Sequence, residues 1–136
     1  MHWSLGLLML ANGITILCVD DEDTPRMLRQ LILQKQGYKV LVAASGREAL
    51  DLLEQGGINL VLSDQMMPGM TGTELTKSIK ADRPSMPVIL ISGVNEIPPD
   101  ASCADCFISK VGGPKLLFQS VAEVLRGYGY LLEKNV

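Results

Sequence analysis

Five short apolar runs, each followed by a segment of helical or turn-rich pattern, constrain this chain more than any other feature. The runs are residues 14–19 (ITILCV), Lys39–Ala43 (KVLVA), 58–62 (INLVL), 87–91 (PVILI) and Cys106–Ser109 (CFIS). They are apolar on both faces, as strands of a parallel sheet covered on both sides must be. The intervals supply the covering helices. Thr24-Pro25 reads as a helix start, with Thr24 as N-cap, Pro25 at the first helical position and Gly37 as the stop. Leu28, Leu31 and Ile32 form its expected inward stripe. A second helix is expected over 45–54 with Ala49, Leu50 and Leu53 inward, and a third over 73–80 carrying Leu75 and Ile79. Pro114 opens the last helix, with Leu117, Val121, Val124 and Leu125 inward, and residues 127–136 read as a tail. Between the last two strands, Ile97-Pro98-Pro99 blocks an ordinary helix, so only a short one over 100–104 is expected. The alternation predicts an α/β fold: a doubly wound five-stranded parallel sheet with a short or irregular fourth helix.

With 136 residues, the chain suits one domain. Its bounds are set at 13–130, with 1–12 as an N-terminal extension and 131–136 as a C-terminal tail. The 4% aromatic content and 47% hydrophobic content describe an aliphatic core. A net charge of −3 argues against direct nucleic-acid binding, which needs a basic face. Residues 5–11 are apolar, but they fall far short of the roughly 20 residues that span a bilayer. They also lack the basic flank and small-residue cleavage site of a signal peptide. They read as a segment lying on the domain, or as a start placed too early, with Met9 as the alternative. The three cysteines, Cys18, Cys103 and Cys106, are too few for a disulfide scaffold and fit a cytoplasmic location. Cys103 and Cys106 are spaced C-x-x-C, but they precede a strand instead of opening a helix, and no second ligand pair accompanies them.

Chemistry enters at the strand ends. The first run ends in Asp20-Asp21, the third in Ser63-Asp64, the fourth in Ser92 and the fifth in Lys110. Ligands of open parallel sheets bind outside the carboxyl ends of the strands, where strand order reverses. Three carboxylates meeting there repel one another, and a hard divalent cation relieves the repulsion. Few protein oxygens with room for water suit Mg²⁺ better than Ca²⁺. A lysine and a hydroxyl beside such a cluster describe a phosphoryl site, and an aspartate can itself be the acceptor.

The segments CVDDED, LSDQMMPGMTG, VILISG and CFISK together resemble the receiver domains of bacterial response regulators, the family that includes the single-domain chemotaxis regulator. The resemblance covers residues 14–127 and implies the flavodoxin-like strand order 2-1-3-4-5. It implies Asp64 as phosphoacceptor, Asp21 as a direct Mg²⁺ ligand, Asp20 as a ligand through water and Met66 as a ligand through its backbone carbonyl. Lys110 would pair with the phosphoryl oxygens. Ser92 would move toward them and Phe107 would accompany it, with Pro68 and Gly72 shaping the loop. The implied partners are a sensor histidine kinase or histidine phosphotransfer protein and an output protein, with a homodimer left open and no membrane.

The chain departs from the family pattern in two places. Val111 comes directly after Lys110 where the family has proline through a cis bond, so a trans or rerouted loop and a differently aimed Lys110 are expected. The interval between Ser92 and Lys110 is also short and proline-rich. Two other functions remain open: a binding module that kept the acids but does not switch, and an aspartate-nucleophile phosphatase. The latter wants a second aspartate two residues after the nucleophile, where this chain has Met66. Met66 and Val94, both apolar, flank the expected approach of a hydrolytic water, which implies slow to moderate loss of the phosphoryl group.

Overall fold

The computed structural model describes residues 13–93 and 101–131. The expectations placed on residues 1–12, Val94, Pro98, Pro99 and Asp100 lie outside them. The elements run β1 (Thr15–Val19), α1 (Asp23–Lys35), β2 (Lys39–Ala43), α2 (Gly46–Glu54), β3 (Leu60–Asp64), α3 (Gly72–Asp82), β4 (Val88–Ser92), β5 (Cys106–Ser109) and α4 (Gly113–Gly127). All pairings are parallel and the sheet order is β2-β1-β3-β4-β5, as expected. No helix of the described residues is long and apolar enough to cross a membrane.

Strand alternation divides the core in two. Ile16, Cys18, Leu60, Leu62, Ile89 and Ile91 face one side and bury Leu33 of α1 with Leu117, Val121 and Leu125 of α4. Leu17, Val19, Val61 and Val88 face the other, against Ala49 and Leu53 of α2 and Leu75 and Ile79 of α3. Ser45 caps α2 by accepting from the Glu48 N–H at 3.1 Å. A reciprocal capping box joins Thr71 and Glu74 at the start of α3.

Four local expectations change. α1 begins at Asp23, so Thr24 lies within its first turn, and the preceding Glu22 gives no side-chain cap. Its inward face is different in part: Ile32 packs against the first core as expected, but the two leucines do not. Leu28 and Leu31 are 56% and 49% exposed, whereas Leu33 is fully buried and Arg29 lies inward with only 14% of its side chain exposed. Asp20 draws an arginine onto the face where apolar periodicity placed leucines. β3 starts two residues later than the expected run, at Leu60, and ends at Asp64, the strand-end position expected for that residue. Leu131, assigned to the tail, is 5% exposed against the first core.

Among the described residues, the stretch leading into β5 begins with a 3-10 turn, Ala101–Cys103. Asp105 anchors the chain between that turn and β5. Its carboxylate accepts from Lys80 Nζ at 2.7 Å, Tyr128 Oη at 2.5 Å and the Val88 N–H at 2.8 Å. One side chain thus ties α3, β4 and the end of α4 together. Burial pushes the Asp105 carboxyl up, but the three donors outweigh it and hold it below the usual range. A lowered carboxyl pKa stabilises the fold above the unfolded-state value, and that contribution fades as pH falls through the lowered one. Asp105→Ala is therefore expected to cost about 1–2 kcal/mol at pH 7. The difference from wild type should shrink in acid, and denaturant melts at pH 7 and pH 3 check it. An equal loss at both values would mean that the carboxylate charge is irrelevant.

Candidate functional site

β1 and β3 are neighbours, with Val19 in register with Ser63. Residues just beyond these partners therefore emerge side by side at the carboxyl edge of the sheet. Asp20 lies just past β1, Asp64 ends β3, and both are 1% exposed, while Asp21 is exposed. One carboxylate oxygen from each of the three lies within 4.8 Å of the others. The expected convergence of Asp20, Asp21 and Asp64 is therefore present.

Lys110 reaches this cluster from the end of β5. Its Nζ lies 3.0 Å from Asp64 Oδ1, an ion pair with the lysine side chain 34% exposed. The Lys110–Val111 bond is not cis, and the backbone passes from β5 through the 3-10 turn Lys110–Gly112 directly into α4. The proline is thus dispensable for bringing Lys110 to Asp64. The pairing is incomplete, because Asp64 Oδ1 is shut off from solvent and accepts no well-aligned hydrogen bond. Burial, reinforced by the charge of Asp20, pushes the Asp64 carboxyl up, and Lys110 and Arg29 oppose this without cancelling it. Three converging carboxylates, one of them buried with only a poorly aligned ammonium contact at Oδ1, are a donor set suited to a hard cation.

The remaining expected residues take distinct places. Ser92 ends β4, is fully buried and donates to the Gly93 carbonyl at 3.2 Å. Phe107 is half-buried on the edge strand β5, in register with Leu90. The Met66 side chain is 53% exposed, and the backbone at this point belongs to the loop that leaves Asp64. Cys103 and Cys106 are half-buried, and no disulfide joins the cysteines. Cys18 is buried beneath the site, where burial pushes its thiol up to about 12.

Pattern reading missed two residues that hold the loop, Gln65 and Met67. Gln65 is buried and its side-chain oxygen accepts both the N–H (2.9 Å) and the hydroxyl (2.8 Å) of Thr73. Met67 is buried against the second core. Gly72, expected to shape this loop, is where α3 presses on the Asp64 backbone: a Cβ there would stand 2.4 Å from the Asp64 carbonyl oxygen. The Gly72 N–H instead donates to Gln65 O at 2.9 Å. Glycine at this position is a requirement of close approach.

Two arginines of α1 were missed as well. Arg26 donates to the Asp20 carbonyl oxygen at 2.8 Å and pairs with Asp23. Arg29 Nη1 donates to Asp20 Oδ2 at 2.6 Å. Their three-residue spacing on one helix face was the available signal.

This arrangement recurs among known proteins. The profile of the response regulator receiver domain family matches residues 16–122. The chain is 37% identical over 124 residues to the sensor kinase CckA of Brucella abortus, covering 85% of this chain and 13% of that protein. It is 32% identical over 116 residues to the sensory transduction protein RegX3 of Mycolicibacterium smegmatis, covering 82% of this chain and 50% of that one. The chain therefore spans at most half the length of these two relatives. Among solved structures, a response regulator receiver domain protein from Clostridium thermocellum superposes with a TM-score of 0.79 at 26% identity, covering 88% of this chain and 99% of that one. The response regulator TrrA of Thermotoga maritima, solved with Mg(2+)-BeF, gives 0.77 at 32% identity, with 82% and 99% covered. A five-stranded sheet in receiver order, an acidic triad at its carboxyl edge and a family profile spanning most of the chain agree, and the chain belongs to the response regulator receiver domain family of two-component signalling.

Proposed function

We propose that the chain is a phosphorylatable switch that accepts a phosphoryl group on Asp64 from a sensor histidine kinase or histidine phosphotransfer protein, in a reaction that needs Mg²⁺. The observation that supports this reading best is the convergence of the Asp20, Asp21 and Asp64 carboxylates at the sheet edge, with Lys110 Nζ 3.0 Å from the buried Asp64 carboxylate.

Asp64 is the nucleophile: one of its oxygens forms a bond to phosphorus as the bond from phosphorus to the donor histidine nitrogen breaks. The electron pair of that bond stays on the imidazole. Lys110, already 3.0 Å from Asp64, is placed to neutralise a phosphoryl oxygen. Asp20, Asp21, Asp64 and the Met66 backbone carbonyl would hold Mg²⁺, which when bound screens the gathered negative charge. Ser92 supplies the hydroxyl that turns toward the new phosphoryl group, and Phe107 moves with it. These two carry the change to an output protein or a second copy of the chain. Catalysis in this reading extends only to the chain's own phosphoryl transfer and dephosphorylation. It calls for no nucleic-acid contact and no membrane, and cytoplasmic placement accords with cysteines that form no disulfide.

Incubation with Mg²⁺ and a small phosphodonor, read by intact mass, should show one added phosphoryl group on the wild type and none on Asp64→Asn. No adduct on the wild type would favour a non-switching binding module, and turnover of phosphomonoesters would favour a phosphatase. Decay of the phosphorylated form gives a second measure. The exposed apolar Met66 offers no hydrogen bond to a hydrolytic water. Met66→Asn should hasten decay about fivefold, the rate equivalent of one hydrogen bond of about 1 kcal/mol. An unchanged half-life would remove Met66 from the account.

A further inference from the structure

Arg29 pairs with Asp20 and not with Asp64, yet its charge is felt throughout the acidic site. Both Asp20 oxygens are engaged: Oδ1 accepts the Glu22 N–H at 2.9 Å and Oδ2 accepts Arg29 Nη1 at 2.6 Å. The ion pair is buried, with 14% of the arginine side chain and 2% of the aspartate side chain exposed. Arg29 lies one helical turn from Leu33, on the face of α1 that packs on the sheet. Its methylenes lie in an otherwise apolar setting, so its charge needs the carboxylate it meets.

We infer that Arg29 is a tethered cation of the acidic site that competes with a divalent metal for the Asp20 carboxylate, whether the metal meets it directly or through water, and that it thereby sets the metal concentration at which the receiver can be phosphorylated. This rests on the Mg²⁺ reading of the same site. Three carboxylates meet two cations here, Arg29 on Asp20 and Lys110 on Asp64. A metal entering the cluster therefore finds it largely neutralised. In a buried setting, guanidinium and metal on one carboxylate repel each other strongly. Arg26 is not the competitor, because it binds the Asp20 backbone carbonyl and Asp23 and leaves the Asp20 carboxylate to Arg29. Room for displacement exists: a pocket of about 280 Å³ between α1 and α4 is lined by Arg29, Ile32, Ser109, Lys110 and Leu117. This pocket is the space into which a displaced Arg29 side chain would turn.

The test is calorimetric titration of the unphosphorylated chain with MgCl₂ at fixed ionic strength, for wild type, Arg29→Met and Arg29→Gln. Thermal melts in EDTA and in Mg²⁺ accompany it. Both variants should bind Mg²⁺ more tightly, on the order of tenfold. They should melt below wild type in EDTA and gain more than wild type on adding Mg²⁺, because the metal replaces the missing charge. Unchanged Mg²⁺ affinity in folded variants, with wild type still binding, would overturn the inference and leave the metal reading intact. Failure of all three proteins to bind Mg²⁺ would overturn both. If neither variant folds, the Arg29 side-chain nitrogen resonances of the wild type decide. A change on saturation with Mg²⁺ supports displacement, and unmoved resonances overturn it.

Discussion

Two buried carboxylates side by side, with a third at the rim, are the constraint to which the rest of this receiver is fitted. Asp20 and Asp64 are each 1% exposed, and like charges so placed resist burial. The sheet forces the approach, because Val19 and Ser63 are in register and their successors have nowhere else to go. The protein offsets the repulsion locally. Arg29 pairs with Asp20, Lys110 pairs with Asp64, and the Glu22 N–H donates to Asp20. It does not offset all of it, since the Lys110 contact on Asp64 Oδ1 is poorly aligned and burial still pushes the carboxyl up. That remnant of unfavourable energy is located where a cation and a phosphoryl group would relieve it, as expected of a site kept ready for ligands.

The sheet and its acids were legible in the sequence for a simple reason: parallel strands buried on both faces read as continuous apolar runs, and whatever ends a run lands at the carboxyl edge. Asp20, Asp21, Asp64, Ser92 and Lys110 were found this way. α1 was not legible by the same means. Its periodicity offered Leu28 and Leu31, but the helix turns Arg29 inward because a buried carboxylate outweighs the apolar gain of two leucines that can sit at the surface. Gln65 was invisible because its role depends on where Thr73 comes to rest, a tertiary fact with no local pattern. Leu131 was lost because one apolar residue beyond a helix end has no period to announce it.

The stretch leading into β5 shows how a short element is held in place. The 3-10 turn Ala101–Cys103 is too short to bury much apolar face against the sheet. Asp105 supplies a polar alternative, drawing Lys80, Tyr128 and the Val88 N–H onto one carboxylate. Directional bonds hold position as well as packing does, but they bury less and answer to pH.

The loop after Lys110 relies on a similar substitution at the site itself. A proline could fix the backbone there, yet Lys110 reaches Asp64 without one. The 3-10 turn that begins at Lys110 is capped by Ser109, whose hydroxyl oxygen accepts the Val111 N–H at 3.3 Å, and Gly113 takes a positive φ of 75° to turn the chain into α4. With β5 on one side and Pro114 in the first turn of α4 on the other, the lysine stem has a short, defined anchor. The aim of Lys110 therefore depends on two junctions, Ser109 and Gly113, and not on a single restricted peptide bond. Because both junctions also border the pocket beside Arg29, the two cations of the acidic site share one structural support.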